Sequence, residues 1–179
     1  MELIHFFDKL KSVRAFVFDV DGVFTDNTVL LTEAGEMLRA MNLRDGLVVK
    51  MAVRAGFPVG IITGGRSQGV TKRLQMLGAS DVFTGIADKS ATLNEFLQKH
   101  ELTVADILYM GDDLPDLPVM KRVAVATAPA DAVPEVLDVV DYVSPFKGGH
   151  GCVRDVLEKV LKLHGHWDEM VKAVAYGQG

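Results

Sequence analysis

Cysteine is almost missing from this chain: Cys152 is the only one in 179 residues, so no internal disulfide can form and nothing calls for an oxidising compartment. A solitary cysteine is more often a small buried side chain than a nucleophile, and Cys152 is read that way. Long runs of Lys and Arg are missing too, and with a formal net charge of -5 the composition gives no basis for a nucleic-acid partner. No apolar stretch reaches membrane-spanning length. Residues 1–11 carry Glu2, His5 and Asp8 among their apolar positions and lack the uninterrupted core of a signal peptide. A cytoplasmic protein with no membrane partner is the default expectation. No linker rich in Pro, Gly and Ser and no internal repeat divides the chain, so residues 1–179 are expected to form a single domain. What is present, 49% hydrophobic and 24% charged residues, suits a soluble globular protein rather than a disordered one.

The most informative stretch runs from Phe16 to Asp26. An apolar run of strand character, Ala15 to Phe18, stops at Asp19, and a second carboxylate follows at Asp21. Side chains two apart on an extended chain face the same way. Two acids on one side of a strand end, followed by Gly22 that can take a positive φ, suit a catalytic site better than a core. The competing reading is a strand that simply ends in an Asp-rich turn.

Along the rest of the chain strand and helix alternate. Leu3, Phe6, Phe7 and Leu10 predict a short amphipathic helix, and two short runs around Thr32-Glu33-Ala34-Gly35 predict a β-hairpin over 28–41. Helices are expected over 45–55, 68–77 and 89–100, and a largely helical tail over 151–175 with a break at His164-Gly165-His166. Strands are expected at 59–62, 81–84, 107–110, 123–126 and 141–143. The pattern predicts an α/β fold: a doubly wound, mainly parallel sheet with helices on both faces and a protruding hairpin. Ligands of such sheets sit beyond the carboxyl ends of the strands. Three strands here end in polar residues: Asp19 and Asp21, then Thr63, then Asp112 and Asp113.

Gathered at one edge, crowded carboxylates repel unless a cation neutralises them, and oxygen ligands of this kind suit Mg²⁺. Thr63 offers a hydroxyl and the glycines after it accessible N–H groups for phosphate oxygens, while Lys89 at a helix start adds positive charge.

At this point the chain resembles the haloacid dehalogenase superfamily. Its first motif matches Asp19-Val20-Asp21-Gly22-Val23, its second Ile61-Ile62-Thr63-Gly64, its third Lys89 and its fourth Gly111-Asp112-Asp113. The resemblance covers essentially the whole chain. It implies that Asp19 attacks phosphorus and that Asp21 serves as acid and then base. Mg²⁺ would be held by Asp19, the carbonyl of Asp21 and Asp112, with Thr63 and Lys89 on the transferring group. Asp113 and Asp116 would support the metal site or cap the helix rather than bind metal.

Residues 20–62 and 64–88 are too few to hold the cap domain of many relatives, and in this the chain resembles a capless branch of the superfamily, a resemblance that implies a phosphorylated sugar acid as substrate. That branch carries segments like Asn42-Leu43-Arg44-Asp45-Gly46 and Gly148-Gly149-His150-Gly151-Cys152-Val153-Arg154. The resemblance implies a homotetramer whose hairpins and neighbouring subunits close the site. It also places Asn42, Arg44, Asp45, Gly46, Lys50 and Arg73, with Gly64 and Arg66, near the sugar acid, alongside Asp21 and Lys89. Two departures keep the choice between an eight- and a nine-carbon sugar acid open: Gly65 stands where members often have Arg, and Lys50, a point charge without a bidentate fork, where Arg is common. A receiver-like signalling module also gathers acids, a Thr and a Lys around Mg²⁺, but its phosphoacceptor Asp lies where this chain has Thr63. A non-catalytic scaffold is the third reading.

Other residues have plainer readings. His164 and His166 are expected at a solvent-exposed helix break, the glycines at 148–151 fit a turn, and the methionines fill core.

Overall fold

A computed structural model of the chain describes residues 2–177, with side chains from Phe6 onward. Leu3, one of the four apolar positions that predicted the first helix, therefore has its side chain outside the described residues.

Eight strands form two sheets. In chain order they are β1 (Ala15–Phe18), β2 (Leu30–Leu31), β3 (Met37–Leu38), β4 (Val59–Thr63), β5 (Asp81–Thr84), β6 (Ile107–Met110), β7 (Val125–Ala128) and β8 (Tyr142–Val143). Six of them make one sheet in the order β5-β4-β1-β6-β7-β8, every neighbouring pair parallel. Strands β2 and β3 form a separate two-stranded antiparallel hairpin. Its ladder is two residues a side, much shorter than the 28–41 span suggested, because Leu30, Leu31, Met37 and Leu38 all stay exposed and no core lies beneath to extend the pairing.

The helices are α1 (Glu2–Leu10), α2 (Leu43–Arg54), α3 (Gln68–Met76), α4 (Lys89–Lys99), α5 (Leu117–Met120), α6 (Pro134–Leu137), α7 (Cys152–Leu163) and α8 (Trp167–Tyr176). Their starts follow capping chemistry: Asn42, Ser67 and Asp88 each accept a backbone N–H of the first turn of α2, α3 and α4. Alternation along the strands sorts the core into two layers. Phe16, Phe18, Ile61, Leu108 and Met110 face α1, α2, α3 and α7, while Val17, Ile62, Tyr109 and Ala126 face α4, α5 and α6. Gly60 has no Cβ because the ring of Phe96 takes that space, 2.9 Å from where the atom would stand.

The chain leaves β1 for β4 and β5 on one side, then crosses to β6, β7 and β8 on the other. The order therefore reverses at β1, and the crevice of a doubly wound sheet opens beyond the ends of β1 and its neighbours. Between β1 and β4 the chain holds only the hairpin and α2, and no cap domain stands among the described residues. No described helix is long and apolar enough to cross a membrane. Two sequence expectations need correction: the strand placed at 123–126 begins two residues later, and His164 and His166 are half-buried rather than solvent-exposed, both set edge-on to Phe57.

Candidate active site

Asp19, Thr63 and Asp112 sit at or just past the carboxyl ends of β1, β4 and β6, which are adjacent in the sheet. Together with Asp21, Asn27, Gly64, Gly65, Lys89 and Asp113 they line a cleft of about 270 Å³. Asp19, Thr63, Lys89, Asp112 and Asp116 are all buried, an arrangement that core packing alone would not favour.

The ammonium of Lys89, at the first turn of α4, lies between two carboxylates, 2.8 Å from Asp19 Oδ2 and 2.7 Å from Asp116 Oδ1. Burial works against its charge, but Asp19 and Asp116 outweigh that and hold its pKa above the usual lysine range. Asp19 Oδ1 accepts the N–H of Val20 at 2.7 Å. Asp116 is saturated: Oδ1 also accepts the Tyr109 hydroxyl at 2.5 Å, and Oδ2 takes the N–H groups of Asp112 and Asp113. The carboxylates of Asp19, Asp112 and Asp116 lie within 4.8 Å of one another, but Asp116 has no lone pair left to give a metal. It supports Lys89 and the Asp112 loop instead. Asp113 is exposed and caps the turn 114–116 through the Leu114 N–H.

Asp112 differs from its neighbours. Its Oδ2 accepts the Asn27 amide at 3.3 Å, whereas its Oδ1 is buried and has no hydrogen-bond partner among the described residues. A buried carboxylate oxygen without a partner is costly, and a cation held between it and Asp19 would satisfy it. Burial, with repulsion from Asp19 and Asp116, pushes the Asp112 pKa up to about 8; burial and Asp116 push Asp19 to about 6. Both values lie above those of an unfolded chain, so without metal the folded protein keeps protons that the unfolded chain has released. By linkage its stability falls as pH rises from about 4 through about 8. Added Mg²⁺ displaces those protons, so its stabilising effect grows over the same window. Melting midpoints in EDTA are expected to drop between pH 5 and 8.5 and the Mg²⁺-induced gain to increase; a flat EDTA series would contradict the assignment.

Gly22 and Gly148 make this packing possible. Gly22 has φ +80°, and a Cβ there would lie 1.9 Å from Asp112 Oδ2. Gly22→Ala is therefore expected to displace the Asp112 carboxylate and weaken Mg²⁺ binding by about 10- to 100-fold, on the order seen when groups that orient ligands are lost. Isothermal titration would read it, and unchanged affinity would contradict the placement. A Cβ on Gly148 would fall 2.0 Å from the Gly22 carbonyl oxygen, and the Gly149 N–H donates to the Val23 carbonyl at 2.9 Å. The glycine-rich segment thus braces the first motif rather than forming a bare turn. Cys152 follows it, fully buried, its thiol on the Val23 carbonyl and its pKa raised by burial.

The remaining sequence-expected residues are dispersed. Gly64 lines the cleft, and Arg66 lines a neighbouring hollow with Ser67, Thr71 and Lys72. Asn42 and Arg44 line a different hollow of about 590 Å³ with His150, Arg154 and Lys159. Asp45 is a correction. It is wholly buried, and its two oxygens accept the N–H groups of Gly151 and Arg154, so it caps α7 from α2 and is closed to a sugar acid. The Arg73 guanidinium lies over Gly46, 2.9 Å from where a Cβ would be, and Lys50 is exposed on α2. Two residues that the sequence did not single out do reach the site: Asn27, on Asp112, and Arg39, whose Nε lies 2.6 Å from Asp21 Oδ1. Asn27 had one signal, a polar residue in a tight turn that tolerates positive φ, here +63°.

A doubly wound parallel sheet with metal-fitted carboxylates and a threonine at adjoining strand ends, and a lysine at a helix start beside them, is the framework of haloacid dehalogenase-like hydrolases, and the model of that family matches residues 74–155. Over 165 residues, 92% of this chain and 88% of the relative, the sequence is 36% identical to the 3-deoxy-D-manno-octulosonate 8-phosphate phosphatase of Salmonella typhi. The structure of the Yersinia pestis phosphatase of that name superposes with a TM-score of 0.89 at 34% identity, covering 91% of this chain and 88% of that one. That of Moraxella catarrhalis, in complex with magnesium, phosphate and a KDO molecule, gives 0.90 at 30% identity, covering 93% and 96%. The chain belongs to the 3-deoxy-D-manno-octulosonate 8-phosphate phosphatases, phosphoric monoester hydrolases of the haloacid dehalogenase superfamily.

Proposed function

We propose that this protein hydrolyses 3-deoxy-D-manno-octulosonate 8-phosphate to the free sugar acid and phosphate, through a phosphoryl group carried on Asp19. The observation that carries the reading is the pairing of Asp19 with Lys89 beside an Asp112 oxygen that has no partner among the described residues. A buried lysine pairs with one strand-end carboxylate, and a threonine hydroxyl and the glycines after it line the same cleft, which suits a dianionic ester. Mg²⁺ held by Asp19, Asp112 and the Asp21 carbonyl supplies, when bound, positive charge that offsets the repulsion between nucleophile and phosphate.

An Asp19 oxygen attacks phosphorus, the ester P–O bond breaks, and its electron pair leaves with the sugar oxygen, which takes a proton from the Asp21 carboxyl group. Asp21, now a carboxylate, accepts a proton from water as that water attacks the phosphorus, and the Asp19–phosphorus bond breaks. Lys89 stays charged throughout, and the Thr63 hydroxyl and the Gly64 N–H hold phosphate oxygens. Asp113 and Asp116 shape the Asp112 loop from behind.

The chain also works, in this reading, as one domain and as a homotetramer. The hairpin side chains Leu30, Leu31, Met37 and Leu38 are 68%, 62%, 58% and 49% exposed, an apolar patch that nothing among the described residues covers. Asn42, Arg44, Lys50, Arg66 and Arg73 then meet the sugar acid from outside the cleft or from a neighbouring subunit. Phosphate release from the eight-carbon 8-phosphate and from the nine-carbon ketodeoxynonulosonate 9-phosphate, with Mg²⁺ present, tests the substrate. A clear preference for the first in kcat/KM is expected, and equal, poor rates on both would overturn it. Light scattering tests the assembly.

A further inference from the structure

We propose that Arg39 is a positioning residue for proton transfer, fixing the carboxyl group of Asp21 so that the hairpin enters the chemistry through one side chain. The inference rests on the reading of Asp21 as acid and base.

Arg39 directly follows β3, on a hairpin whose apolar side chains are open to solvent, yet its own side chain is only 9% exposed. Its guanidinium makes a two-pronged contact: Nε donates to Asp21 Oδ1 at 2.6 Å and Nη2 to Oδ2 at 3.1 Å. Nη1 donates to the Met37 carbonyl at 3.2 Å, which ties the fork back to its own strand. Room for this arrangement comes from Gly65. A Cβ there would stand 3.1 Å from Asp21 Oδ2 and 3.5 Å from Arg39 Nη2, and the Gly65 N–H is fixed on the Thr63 hydroxyl at 3.1 Å.

An exposed ion pair that merely pins a loop contributes little and affects every substrate alike. This pair differs in being largely covered and bidentate, a geometry that sets the plane of the carboxyl group as well as its place. The χ2 torsion of an aspartate is otherwise broad, and the Asp21 side chain is 33% exposed. With the fork engaged, one carboxyl oxygen is aimed at the sugar oxygen in the first step, and the same oxygen at water in the second. Thr63 and Lys89 act on the phosphoryl group and do not constrain that torsion.

The leaving group separates this role from a structural one. The sugar alkoxide needs the Asp21 proton; p-nitrophenolate does not. First-step rates should be measured by rapid quench for wild type, Arg39→Met, Arg39→Lys and Asp21→Asn, on 3-deoxy-D-manno-octulosonate 8-phosphate and on p-nitrophenyl phosphate. Asp21→Asn is expected to lose about 10²- to 10⁴-fold on the sugar phosphate and far less on the aryl phosphate. Arg39→Met is expected to lose about 10- to 100-fold on the sugar phosphate, at least about tenfold more than on the aryl phosphate, in the saturating first-step rate rather than in KM. Arg39→Lys should recover part of it, keeping the charge without the fork. Equal losses of Arg39→Met on both esters, or a loss confined to KM, would overturn the inference while Asp21→Asn still discriminates between them. If Asp21→Asn itself fails to discriminate, the reading of Asp21 falls and the inference with it.

Discussion

Asp19→Asn is expected to abolish turnover, with a loss of about 10⁴-fold or more, while the fold and its melting behaviour are retained. Removing a group that acts in concert with others costs nearly the whole rate enhancement, because none of the remaining groups takes over bond formation. The fold should survive for an electrostatic reason. Burial and Asp116 push the Asp19 pKa up, so its charge is held in the metal-free protein against unfavourable surroundings. Lys89 keeps its second partner, Asp116, at 2.7 Å. A neutral amide at position 19 should therefore leave thermal stability without metal equal or higher. Phosphate release and circular dichroism on one preparation check both halves, and near-normal activity would end the covalent scheme.

Asp116→Ala is expected to act in the opposite way, chiefly on stability. Asp116 is fully buried and accepts from Lys89, the Tyr109 hydroxyl and the N–H groups of Asp112 and Asp113. Its loss leaves those donors facing an apolar hole and halves the negative charge around a buried lysine. Breaking a buried pair from one side costs about 3–5 kcal/mol, which for a chain of this size lowers the melting midpoint by roughly 6–20 °C. Asp113→Ala, which removes only an exposed cap, should cost about 1 kcal/mol. Urea unfolding of the two variants side by side gives the comparison, and similar midpoints would contradict the role assigned to Asp116.

These expectations rest on features of unequal visibility in the sequence. Strand ends were legible because a buried parallel strand reads as an apolar run, and Asp or Thr breaks that run where the strand meets the polar edge of the sheet. Strands β1, β4 and β6 end where Asp19, Thr63 and Asp112 announce it. Helices α2, α3 and α4 were legible through apolar positions at helical spacing and fall within two residues of the expected ranges. Arg39 was not, since nothing local distinguishes an arginine at the end of a hairpin from a solvated one; its meaning lies in Asp21, which only the folded hairpin brings within 2.6 Å. Asp45 was misread for the same reason in reverse. The resemblance places it near the sugar acid, but its partners, the N–H groups of Gly151 and Arg154, lie at the far end of the chain, where no local pattern reveals them. The short helix α6 carried too few residues for a periodicity to register. The hydrogen-bond network of Asp116 likewise joins Lys89 to the fourth motif across a spacing that no local pattern encodes.

The central claim is that Asp19 carries the phosphoryl group. Rapid quench of the enzyme during turnover of 3-deoxy-D-manno-octulosonate 8-phosphate with Mg²⁺, followed by borohydride reduction and peptide mass spectrometry, tests it at the atom concerned. An acyl phosphate at position 19 is reduced to homoserine, so the peptide spanning Phe16 to Asp26 should carry homoserine in place of Asp19. Unmodified Asp19 under conditions of full turnover, or the modification at another carboxylate, would contradict the account.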